Sequence, residues 1–109
     1  MTTIDLGELT SEGEIRNLTG HERGVLARQH YKLNDLDAGT EAVTVLVPVA
    51  VYTLTPSFFQ GMFAESVQKF GTREAFLNHY RFDASTLIMR QVERGIVGSQ
   101  MRRGELLSA

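Results

Sequence analysis

A chain of 109 residues with 42% hydrophobic and 22% charged side chains has the balance of a globular fold and the length of one domain, since two cores would each be too small to hold together. It contains no cysteine, which excludes a disulfide framework, a thiolate zinc site and a cysteine nucleophile, and suits a cytoplasmic protein. The formal net charge of −2 is uneven: residues 1–41 carry eight acids and four bases, residues 42–109 five acids and seven bases, a split read as the filling of a solvated surface.

The opening MTTIDLGELT lacks a basic region followed by an apolar stretch, so no secretory leader is expected. The longest apolar run, around Val45 to Tyr52, falls far short of the ~18 residues of a spanning helix, so no membrane span is expected. Residues 2–6 alternate as a short strand does, and Gly7 ends it. Residues 8–20 read mostly as loop, with room for a second short strand near Ile15 to Leu18.

From His21 a helical pattern begins, with Thr19 as its cap and Val25, Leu26, Gln29, Leu33 and Leu36 as its inward stripe. Gly39 is placed at the exit, in the left-handed conformation of a helix end. Residues 42–47 are rich in β-branched side chains and apolar on both faces, which predicts a covered central strand. Pro48 loosens the pairing, and Val49 to Leu54 continue as an extended crossing segment.

Thr55-Pro56-Ser57 marks a helix start: a hydroxyl cap, a proline with fixed φ, then a serine beside free amides. Phe59, Met62, Phe63, Ser66, Val67 and Phe70 form the core stripe, with Phe58 on the flank and Gly71 as the stop. Gly61 inside this helix predicts a close approach to a strand. Residues 75–82 read as another strand, with Asp83 capping a last helix. That helix carries Leu87, Ile88, Gln91, Val92, Gly95 and Ile96 on its stripe and fades between Gly98 and Gly104.

This order predicts an α/β fold: a mixed or mostly parallel sheet of about four strands, with helices packed mainly on one face. One domain spans 1–109, with 1–19 as an N-terminal strand and loop region and 98–109 as a C-terminal tail.

Motifs for chemistry are few. His21, His30 and His79 lack the i, i+4 spacing of metal ligands on one helix face, so no metal is expected. Ser57 has no Gly-x-Ser-x-Gly surroundings, and no Gly-Lys-Ser/Thr triplet occurs, so no catalytic residue and no cofactor is assigned. Arg90, Arg94, Arg102 and Arg103 are interrupted by Glu93 and Glu105 and have no aromatic platform, which argues against nucleic acid. The remaining candidate is the hydroxyl cluster Thr53, Thr55 and Ser57 with the adjacent Phe58 and Phe59 as an aromatic anchor. Its plain reading is capping; its functional reading is a partner-binding surface that phosphate on Ser57 would recharge without unfolding the helix.

The segment LVPVAVYTLTPSFFQGMF, Leu46 to Phe63, resembles the centre of the STAS-like domain family, related to the anti-sigma-factor antagonist fold. There a buried strand leads through a short apolar crossing to a Ser-Phe pair opening a helix, as Ser57-Phe58 would here, and GVLARQHYKL resembles the family's early segment. The resemblance covers about residues 20–96. It implies a non-enzymatic regulatory task, with a kinase-like ATPase or anti-sigma-type factor as partner and Ser57 as the switch. At the end of the central strand this chain has Val47-Pro48 where the family commonly places an aspartate and an aromatic.

Two other readings stand beside it. One is a small ligand-binding domain or enzyme around His79, Tyr80 and Arg81, which requires a deep pocket where His79 meets an acid. The other is a self-associating structural protein, a homodimer through a spare strand near Val49 to Leu54.

Overall fold

The computed structural model describes residues 2–10 and 16–108, with side chains as far as residue 100. The chain runs β1 (Thr2–Asp5), a 3-10 turn (Leu6–Thr10), β2 (Asn17–Leu18), α1 (His21–His30) and α2 (Leu33–Ala38). Then follow β3 (Val43–Leu46), β4 (Thr53–Leu54), α3 (Pro56–Phe70), α4 (Arg73–His79), β5 (Tyr80–Asp83) and α5 (Thr86–Ser108).

The β-branched run places β3 at the centre of a three-stranded parallel sheet of order β1-β3-β5, with Ile4, Val45 and Phe82 in one row and Thr3, Thr44 and Arg81 in the next. Each new strand is added on the same side of the last, so right-handed crossovers keep the helices on one face of the sheet. Ile4, Val43, Val45 and Tyr80 are buried on that face, while Thr3 and Arg81 on the other are exposed. The fold is thus the expected small α/β type, with fewer strands in the main sheet than expected. A separate pair, β2 and β4, is also parallel; Ile15, at the start of the second predicted strand, lies outside the described residues.

The central helix is α3, packed against α1 on one side and α5 on the other. Glycine permits both contacts. A Cβ on Gly24 would stand 2.1 Å from the Phe58 carbonyl oxygen, and a Cβ on Gly61 would stand 2.1 Å from that of His21, so α1 and α3 touch backbone to backbone. Gly61 therefore marks close approach to a helix and not to a strand. On the α5 side, Gly95 faces the Phe59 ring and Gly98 faces the end of Gln60. Phe58, Phe59, Met62, Phe63 and Val67 fill the core between these helices and the sheet, and Gly71 ends α3 at φ 84°.

Several sequence expectations need correction. Residues 75–82 are not one strand: Thr72 caps α4 by accepting the Ala75 amide at 3.1 Å, and only Tyr80 onward is extended. Phe76 and Tyr80 are both buried at a four-residue spacing, which serves a helix as well as their even spacing serves a strand. Asp83 belongs to β5, and Ser85 caps α5 through the Ile88 amide at 3.2 Å. At α1 the cap position is Gly20, with no side-chain cap, so Thr19 does not serve. The inward residues of α1 are Gly24, Ala27 and Arg28, whereas Leu26 is exposed. Left-handed backbone falls at Lys32 (φ 55°), between α1 and α2, while Gly39 is extended. Only Thr53 and Leu54 of the predicted crossing segment form a strand, and β2 already pairs with them. The last helix continues to Ser108 instead of fading near Gly98. The side chains of Arg102 and Arg103 lie outside the described residues.

The glycine contacts make a paired prediction. Gly61→Ala drives a methyl group into backbone and costs about 3 kcal/mol. Gly98→Ala meets the side-chain end of Gln60, which can move, and gains helix propensity, so its stability stays within about 1 kcal/mol of the parent. Urea unfolding of the two variants reads the difference.

Candidate functional site

The start of α3 is held from two directions. The β2–β4 ladder continues into it, with the Thr55 amide donating to the Leu18 carbonyl at 3.0 Å, and the Gln91 side chain of α5 accepts the Leu54 amide at 2.8 Å. Thr55 Oγ1 accepts the Phe58 amide at 3.3 Å, donates to the Leu18 carbonyl at 3.4 Å, and lies 3.2 Å from Ser57 Oγ. Proline at the first turn removes one amide that would have needed a partner.

Of the five residues singled out from the sequence, Ser57 is exposed and Thr53 and Thr55 are half-buried. Phe58 and Phe59 are 2% and 0% exposed. Both are core residues, and neither is presented to a partner as an anchor. Phe59 stacks near Phe63 at 5.1 Å between centroids, and Phe58 closes the bottom of a small concavity on the surface.

That concavity, about 240 Å³, lies between Leu9 of the 3-10 turn, Leu18 of β2, Phe58 of α3, and Arg23, Leu26, Ala27 and His30 of α1. A larger groove of about 640 Å³ runs between α1, α2 and α3 and includes Arg28, Lys32, Asn34, Gln60 and Glu65. Size favours the groove, but its chemistry does not. Its only strongly buried charged side chain, Arg28, already has all its donors engaged.

Those bonds form a buried network. Arg28 Nη1 donates to the Met62 carbonyl and to Ser66 Oγ, both at 2.9 Å. Its Nη2 donates to Asn34 Oδ1 at 2.7 Å and Asp37 Oδ2 at 2.6 Å, and Nε donates to Asn34 Oδ1 at 3.1 Å and pairs with Glu65 at 3.0 Å. Asp37 Oδ1 also accepts from Ser66 at 2.7 Å and from the Tyr80 phenol at 2.5 Å. Helices α1, α2 and α3 and strand β5 therefore meet at one carboxylate. No sequence motif marks this cluster, since its members are spread from residue 28 to residue 80.

His79 does not sit in a pocket with an acid. It is buried, with Nε2 2.8 Å from the Leu36 carbonyl and its ring 4.7 Å from that of Phe70, while the Tyr80 hydroxyl serves the network and Arg81 is exposed. Ser57 has only the Thr55 hydroxyl in reach among the described residues, and no metal-ligating cluster occurs among them. No helix among them is long and apolar enough to cross a membrane. In comparisons with known proteins, no family model, no curated protein and no solved structure matches the chain.

Burial, and next the hydrogen bond to Asp37, push the pKa of the Tyr80 phenol well above its ordinary 10.0. Tyr31 shifts the same way, through burial and its bond to Glu8. The folded chain holds these protons more tightly than the unfolded chain, so their stabilisation is complete below pH 10 and declines as pH rises past it. Tyr80→Phe is expected to cost about 2 kcal/mol at neutral pH. Its further loss above pH 10 should be smaller than that of the parent, measured by urea unfolding across the alkaline range.

Proposed function

We propose that this chain is a non-enzymatic regulatory module that binds another protein through the surface around the start of α3, in the manner the STAS-like resemblance implies. The observation that carries the reading is the exposed Ser57 hydroxyl on a firmly capped helix start, next to an apolar concavity floored by Phe58. Ser57 is the candidate phosphorylation switch, and a kinase-like ATPase or anti-sigma-type factor is the candidate partner. The lack of cysteine suits a cytoplasmic setting.

Phosphate on Ser57 would add about −1.5 to −2 charge where the helix dipole favours it, so the fold persists while the docking surface gains negative charge. Val47 is buried and Pro48 half-buried at the end of β3, so the site where the family commonly carries an acid is apolar here. The partner contact is therefore assigned to α3 and not to the tip of β3.

Photo-crosslinking of the full chain in its native cells tests this, with the reactive group at position 57 and, as control, at exposed position 69. A discrete protein adduct is expected from position 57 and not from 69. With the group moved to position 53, Ser57→Asp should lower the yield by about tenfold, a change of ~1.4 kcal/mol. Its unfolding midpoint should stay within about 0.5 kcal/mol of the parent. Equal adducts from 57 and 69, or none, would remove the reading.

A further inference from the structure

Along α1, Arg23, Leu26, Ala27 and His30 stand at i, i+3, i+4 and i+7, which places them on one face of the helix. That face is turned to the concavity beside Phe58, with Ala27 buried at its inner edge. Its pattern is arginine, apolar, apolar, histidine over about 10 Å, at 1.5 Å per residue. Ala27, Leu18 and Phe58 are buried and form an apolar floor, Leu9 is a half-buried wall, and Leu26 is a lip that remains 63% exposed. Leaving so large an aliphatic side chain in water beside an apolar hollow sacrifices a burial that a docked group would recover.

At about 240 Å³ the hollow is below the ~300 Å³ at which small-molecule sites begin, a size suited to a side chain. Its rim carries one formal positive charge, Arg23, and one imidazole, His30. Residues 1–41 hold twice as many acids as bases, eight against four, yet exposed Arg23 and His30 bracket the hollow. Among the described residues Arg23 makes no ion pair.

We propose that this concavity receives a leucine-like aliphatic side chain from an acidic segment of the protein partner, with carboxylates of that segment lying against Arg23 and His30. The inference rests on the reading of this face as the partner surface and specifies what the partner must present. It also gives Ser57 a mechanism: phosphate at the adjoining helix start would repel the same acidic segment that the rim attracts.

The test is nitrogen-edited NMR titration of the full chain with three synthetic peptides: one leucine flanked by glutamates, the same peptide with serine for leucine, and the same with lysines for glutamates. The first peptide is expected to shift the amides of Leu18, Leu26, Ala27 and Phe58, and the other two to leave them in place. Arg23→Glu, at an exposed position, should weaken the first peptide about fivefold, ~1 kcal/mol, and the loss should shrink at high salt.

Equal binding of the serine or lysine peptide, or an unchanged affinity in Arg23→Glu, would overturn the inference. Concentration-dependent shifts of the same amides without peptide would assign the hollow to a second copy of the chain and overturn it too. A specific adduct from position 57 with no peptide effect at these amides removes this inference and leaves the functional reading standing. Peptide binding here with no such adduct does the reverse.

Discussion

A buried guanidinium has to be answered on every side, and in this protein the answer dictates how the helices meet. Arg28 is 8% exposed, and its donors reach α2 through Asn34 and Asp37 and α3 through Met62 and Ser66. Removing a charge from water costs several kcal/mol unless its partners are held in place, so any displacement of α2 or of α3 leaves an ion uncompensated. The glycines at 24 and 61 let the backbones approach closely, and the network determines where along their lengths they cross. Tyr80 ties the same carboxylate to β5, and His79 adds a bond to the Leu36 carbonyl at the end of α2.

The candidate docking surface follows from that arrangement. Arg28 is neighbour in sequence to Ala27, so the clamp that seats α1 also sets part of the floor of the hollow beside Phe58. The same floor includes Leu18, whose carbonyl receives both the amide and the hydroxyl of Thr55. Residues of α1, α3, β2 and the 3-10 turn thus form the hollow beside the helix start that carries the exposed Ser57 hydroxyl.

How far the sequence revealed this depended on the kind of signal. The β-branched run at Val43 to Leu46 and the Thr55-Pro56 helix start are local and self-sufficient, and both elements form as read. Helix α1 was legible as a helix but not in its orientation. Its apolar residues Val25 and Leu26 suggested an inward face, whereas the contact with α3 demanded glycine, alanine and a paired arginine. Residues 75–82 failed because alternating aromatics fit either period, and the Thr72 cap decided for a helix. The hydroxyl cluster and the core position of Phe59 were visible from the sequence, but the burial of the flanking Phe58 was not, so what looked like a knob is the floor of a socket. Arg28, Asp37, Ser66 and Tyr80 are each ordinary surface or helix residues when read singly; only long-range folding makes them a unit.

The dependence of the fold on the Arg28–Asp37 pair is most directly measured by a double-mutant cycle in urea with Arg28→Met, Asp37→Leu and both together. Either single change strands a buried polar partner and should cost about 3 kcal/mol or more, while the double change removes both charges at once. The account predicts that the double variant is more stable than the sum of the singles implies by about 2 kcal/mol or more. Additivity within about 0.5 kcal/mol would contradict it, because the two side chains would then be stabilising the fold independently.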